Sequence, residues 1–199
     1  MEIHKFYMGL FDTLIRKRVF DMKDDVQSII KRRGITELLH FTHPDNIKGI
    51  EKYGLLPNRE LSGHKRNDYR RIDNWSGVCL SVTHPNKFLL KAYINKGRLP
   101  NPPKCIIIDP EVILHEISLF FDCNAATNKF KSDPPYSYEY LKSAEALESM
   151  FAEEVIEASR KSFRKIYEPN WTTSWQAEII VRRVPTEYFK EIKSFDVIQ

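Results

Sequence analysis

Apolar and polar positions sort most clearly between Leu38 and Leu56. On an extended segment, Leu38, His40 and Thr42 fall on one face and Leu39 and Phe41 on the other, which predicts a short strand. Pro44 then presets φ for a helix start, Thr42 or His43 is placed to cap it, and Ile47 and Ile50 form its apolar stripe. Gly54 ends that helix in the left-handed conformation that glycine tolerates best. Upstream, residues 1–33 hold a helical region. Its clearest part is Asp24 to Arg33, where Val26, Ile29 and Ile30 repeat at helical spacing and Lys31, Arg32 and Arg33 suit a C-terminal dipole.

Downstream, the pattern predicts a strand over Gly77 to Val82 and, after the Thr83-His84-Pro85 turn, a helix over Asn86 to Tyr93. Cys105 to Ile108 reads as a central strand ended by Asp109-Pro110, and Leu119 to Cys123 as a weaker one. Glu139 to Lys161 reads as helical, with room for a break. Gln176 to Val181 is the second strong strand, and Ile192 to Ile198 a last edge strand. Pro57 to Trp75 has no period and carries Arg59, Lys65, Arg66, Arg70 and Arg71. A loop of that length is uncommon in a compact domain unless it has a role, and covering a ligand is the role expected here.

Composition narrows the class. The 199 residues fit one domain spanning 1–199, and 42% hydrophobic with 29% charged residues is ordinary for a globular protein. No apolar run approaches the ~20 residues of a membrane span, and the N-terminus lacks a signal-peptide pattern, so a cytoplasmic location is expected. Cys79, Cys105 and Cys123 form no CxxC pair and suit buried thiols better than a disulfide framework. The net charge of +4 favours a polyanionic partner without requiring one. With no G-x-G-x-x-G, Walker loop, H-E-x-x-H or Cys/His zinc spacing, dehydrogenase, NTPase and metalloenzyme readings have no support.

Two features remain. Glu178 is a carboxylate entering a buried-looking strand, where it needs a partner or a job. An ion pair with an arginine would satisfy that need as well as catalysis would. His40, read alone, suits a core histidine or a ligand-binding group. Taken together, His40, Thr42, Asn46, Gly49, Gly54 and Leu55 resemble the first NAD-binding motif of the ADP-ribosyltransferase superfamily of the poly(ADP-ribose) polymerase type. The wording FTHPDNIKGI, with Gln176-x-Glu178 later in the chain, is most similar to the DarT group of nucleic-acid-modifying toxins. The second motif departs from the usual Gly-aliphatic-Tyr-Phe/Leu. It reads Gly77-Val78-Cys79-Leu80, which leaves Phe88, Tyr93 and Tyr69 as candidates to stack on nicotinamide.

That resemblance implies an α+β fold, an ADP-ribosyltransferase-like split pair of mixed β-sheets with flanking helices around an NAD cleft. It implies NAD as substrate and no metal. His40, Phe41, Thr42, Asn46, Gly49 and Leu56 would hold NAD, and Glu178 would stabilise the ribose oxocarbenium as nicotinamide leaves. Arg70 or Arg71 would anchor phosphate or stabilise an anionic base. Gln176, Trp175 and Tyr136 would face the acceptor, a guanine or thymine in single-stranded DNA, with Tyr138, Trp171, Lys129 and Lys131 as further strand contacts. The protein would be a toxin opposed by a macrodomain antitoxin that removes the modification. Transfer to RNA or protein, or nucleic-acid binding without catalysis, are the alternatives.

Overall fold

The computed structural model describes residues 25–61, 76–130, 136–157, 160–164 and 169–196. The expected basic loop, with Tyr69, Arg70 and Arg71, falls outside them beyond Leu61, as do Lys131 and residues 1–24 of the N-terminal region. A helix over residues 25–33 (α1) precedes β1 (Leu38–Thr42), which passes through a 3-10 turn at Pro44–Asn46 into α2 (Ile47–Tyr53). Next come β2 (Val78–Val82), α3 (Lys87–Asn95), β3 (Lys104–Ile108), α4 (Val112–His115) and β4 (Ser118–Phe121). The chain continues with α5 (Tyr138–Leu141), α6 (Ala144–Ser149), β5 (Glu154–Glu157), β6 (Arg160–Phe163), β7 (Glu178–Val181) and β8 (Phe189–Ser194).

Six strands form one sheet in the order β4-β7-β2-β1-β3-β8, and β5 with β6 forms a separate hairpin. The α+β class stands, but the expected mixed sheets are corrected. Every pairing among the named strands is antiparallel. Period-two alternation reports which side chains face inward and carries no information about a partner strand's direction.

The central sheet has a core on each face. Leu38, Leu80, Ile106, Ile108 and Ile179 belong to the large cluster on one side, while Leu39, Cys105 and Ile107 pack on the other with Phe41 and Phe195. This is why Cys105 to Ile108 shows no polar alternation: all four residues are buried. Residues 139–161, expected as helix, instead form two short helices and a hairpin. Ser137 and Ser143 each accept a backbone N–H bond and restart the chain as a new helix. In β5, Val155 and Glu157 are buried while Glu154 and Ile156 are exposed, a strand period hidden among good helix formers.

Two glycines fix how the elements close around the sheet. Gly54 has φ +74°, and a Cβ there would collide with the carbonyl of Val184. That contact sits beside the Leu55–Val184 bridge, where Leu55 N–H donates to Val184 O at 2.8 Å, so the end of α2 is tied to the segment after β7. At Gly77 a Cβ would lie 2.5 Å from Ile180 Cγ2 and 2.7 Å from Val181 O, so β2 starts at a distance from β7 that only glycine allows.

Candidate functional site

A cleft of about 210 Å³ opens where β1, α2, β2, α3 and the start of β7 meet. Its lining joins His40, Phe41, Thr42, Asn46, Gly49 and Leu56 from one stretch of chain with Gln176 and Glu178 from another. The expected cofactor residues and the late carboxylate therefore share one cavity, although more than a hundred residues separate them in sequence.

On the first side, His40 is held by its ring. Its Nδ1 lies 3.0 Å from the carbonyl oxygen of Cys79. A carbonyl only accepts, so Nδ1 carries the proton, which makes Nε2 the acceptor nitrogen of the neutral ring. Thr42 is buried, and its Oγ1 accepts from Asn46 Nδ2 at 3.1 Å. Asn46 thus orients the Thr42 hydroxyl from the 3-10 turn. His43, rather than Thr42, caps that turn through a bond from Asp45 N–H to its Nδ1. Phe41 reaches the cleft and also packs edge-on against Phe195.

The second side is built on carboxylates. Glu178 is 9% exposed at the first position of β7, and its Oε1 accepts the backbone N–H of Ala125 at 2.7 Å. The pairing of β2 with β7 places Ser81 opposite Glu178, one step beyond the Leu80–Ile179 pair. The expected strand start at Gln176 is corrected by two residues, because Thr173 to Gln176 form a turn. There Thr173 Oγ1 donates to Ala152 O, and Gln176 N–H donates to Ser174 Oγ at 3.0 Å.

Behind Gln176 lies a second buried carboxylate. Glu157, at the end of β5, accepts from Ser174 Oγ and, at 3.1 Å, from Gln176 Nε2. Sequence reasoning missed it by placing 139–161 in a helix; the period of the EVIE run was its only signal. Asn86 and Asn124 were also missed. Asn86 caps α3 by accepting from Leu89 N–H, and both asparagines line the cleft.

Among the remaining candidates, Tyr93 lines the cleft, while Phe88 and Trp175 line an adjoining hollow and are 77% and 41% exposed. Tyr136 lines neither cavity; it packs against Phe130 and Tyr140. Trp171 packs edge-on against His84 beside Trp175. Cys79 lines the cleft, whereas Cys105 and Cys123 are buried, and burial pushes each of their thiols up to about 12. Thr83, just after β2, is held at φ +56°, a strained conformation for a β-branched residue at the edge of a site.

No described residue of the cleft lining is a lysine or arginine. Leu61 and Gly77, on either side of the basic segment 62–75, both line the cleft. Among the described residues no group of histidine, cysteine and carboxylate side chains is arranged to hold a metal, and no helix is long and apolar enough to cross a membrane. No known protein family matches the chain, and a comparison with curated proteins finds no match.

Proposed function

We propose that this protein is an NAD-dependent mono-ADP-ribosyltransferase of the DarT type that modifies guanine or thymine in single-stranded DNA, the toxin of a pair whose macrodomain partner reverses the mark. The observation that carries this reading is the shared cleft: His40, Thr42, Asn46 and Gly49 open on the same cavity as Gln176 and Glu178.

In this reading the nicotinamide riboside half of NAD lies between the two sides. His40 binds ribose hydroxyls, Gly49 lets the dinucleotide approach α2, and the backbone of Phe41 and Thr42 meets the nicotinamide amide. Of the three stacking candidates Tyr93 is the one proposed to stack on nicotinamide, a reading supported by its place in the cleft lining. Glu178 accepts from the ribose 2′-hydroxyl. The C1′–N bond breaks with its electron pair leaving on nicotinamide, and the carboxylate stabilises the positive charge that develops at C1′. A bond then forms from a nitrogen of the base to C1′, and the proton of that N–H is released. The Ala125 N–H holds one carboxylate oxygen in place, so the charge is oriented before the reaction begins. A pyrophosphate needs cations, and by sequence Arg70 and Arg71 are the proposed source.

The test uses NAD labelled on its adenine half, incubated with single-stranded DNA, duplex DNA, RNA and a protein mixture. Label on single-stranded DNA supports the proposal. Label on protein or RNA moves the acceptor, and no label with no nicotinamide release leaves a binding domain.

A further inference from the structure

The adjoining hollow, about 330 Å³, shares Asn86, Leu89, Asn124 and Gln176 with the cleft, so Gln176 stands on the wall between them. We propose that this hollow seats the acceptor base between Phe88 and Trp175, and that Glu157 is a positioning residue that makes Gln176 select a base with a ring N–H. This rests on the transferase reading of the cleft and adds its acceptor half.

Amide orientation is the first step. A glutamine presents a carbonyl or an NH₂ with equal ease, and the two look alike in shape. A carboxylate accepts and cannot donate, so the contact with Glu157 Oε2 identifies the bonded atom as Nε2. Ser174 fixes the same assembly twice, accepting from the Gln176 backbone and donating to Glu157. Among the described residues, the Gln176 carbonyl Oε1 accepts no hydrogen bond and is the acceptor left for a ligand. The Watson–Crick ring nitrogen of thymine or guanine carries a hydrogen and can donate to it. The corresponding nitrogen of adenine or cytosine is itself an acceptor and meets lone-pair repulsion.

The surroundings choose the rest of the ligand. Phe88, on α3, is a large aromatic ring left mostly in solvent, and Trp175, 41% exposed and edge-on to Trp171, is the second aromatic ring on the hollow. Exposed aromatic rings bind flat heterocycles by stacking, which is tolerant of base identity, so the discrimination falls to Gln176. Glu157 lines the hollow but is only 8% exposed, with its carboxylate bonded to Ser174 and Gln176. A carboxylate on the wall of the hollow disfavours an anionic end group. A neutral base fits better than a terminal phosphate.

The test reads binding by tryptophan fluorescence, without NAD, using mixed-sequence single strands whose thymine N3 and guanine N1 are either free or methylated. The parent protein is expected to bind the free strand at least tenfold more tightly. Phe88→Ala, which alters a mostly exposed side chain, should weaken binding of the free strand by about tenfold. Glu157→Gln should shrink the free-to-methylated ratio to below threefold, because an amide in its place lets Gln176 turn over. Gln176→Leu should do the same if Glu157→Gln fails to fold by circular dichroism. Equal binding of the two strands by the parent, a ratio that survives in the folded variants, or tighter binding of an arginine-bearing peptide would overturn the assignment. Nicotinamide release from NAD by the parent, measured separately, judges the transferase reading on its own.

Discussion

The two sides of the cleft are held by different means. From His40 to Gly54 the lining comes from one unbroken stretch, fixed by a ring nitrogen against a carbonyl, a hydroxyl against an amide and a helix tied down at Gly54. Around Glu178 it comes from Asn124 and from the turn that enters β7, and two buried carboxylates organise it, Glu178 through Ala125 and Glu157 through Ser174 and Gln176. Neutral groups near the backbone suit binding, and oriented charge suits a reaction. Substitutions on the first side should therefore lower affinity, and those on the second should lower turnover.

The largest effect tests the charged side. Glu178→Gln keeps the shape and an oxygen for the Ala125 N–H, yet removes the charge. Transfer at saturating NAD is expected to fall by at least about 10²- to 10³-fold with NAD affinity little changed. Near-normal turnover would erase the contrast between the sides. Next comes the floor they share. Gly77→Val forces a side chain against Ile180 Cγ2 and Val181 O, and unfolding by urea should show a loss of about 1–3 kcal/mol or more.

On the first side, His40→Ala and Gly49→Val should each weaken NAD binding in calorimetric titration by roughly tenfold, an effect of about 1.4 kcal/mol. Parent-like affinity in both variants would make this stretch a core element only. Arg70→Ala and Arg71→Ala sharpen the comparison further. A raised NAD requirement in one of them places that arginine with the binding side, and a lowered turnover at saturating NAD places it with the charged side.

The smallest effect concerns the thiols. At pH 8 a maleimide should modify Cys79 well before Cys105 or Cys123, as peptide mapping would show. Burial raises both of the latter in the folded state, so the unfolded chain loses their protons first. Their contribution to stability is complete below about pH 9 and declines as pH rises toward about 12. A melting temperature that does not fall across that range would contradict it.

The same division explains what could be read from the sequence. The His40–Gly54 side was legible because its strand, turn, helix and closing glycine are consecutive, and each leaves its own local signal. Glu178 was legible as a carboxylate at the start of an apolar strand. Glu157 was not, because Glu154, Glu157 and the alanines before them favour a helix by propensity. The two-residue period of the EVIE run is too short to outweigh that propensity, and it is the packing of Val155 with Leu119, Phe121 and Ile180 that favours the strand. The antiparallel sheet order and the Ala125 contact depend on chain paths that no short window of sequence contains.

The ends of the six-stranded sheet carry a consequence for how the protein behaves in concentrated solution. Unpaired strand edges recruit other chains unless they are blocked. At one end β4 is buried at every position, with α5 and α6 against it, and offers no accessible backbone. At the other end no described strand pairs with the outer edge of β8, which carries Lys190, Glu191 and Lys193, all exposed. Two copies meeting edge to edge there would have to bring these charges together and strip their water, so the sheet resists growth into fibrous aggregates and ends within one chain.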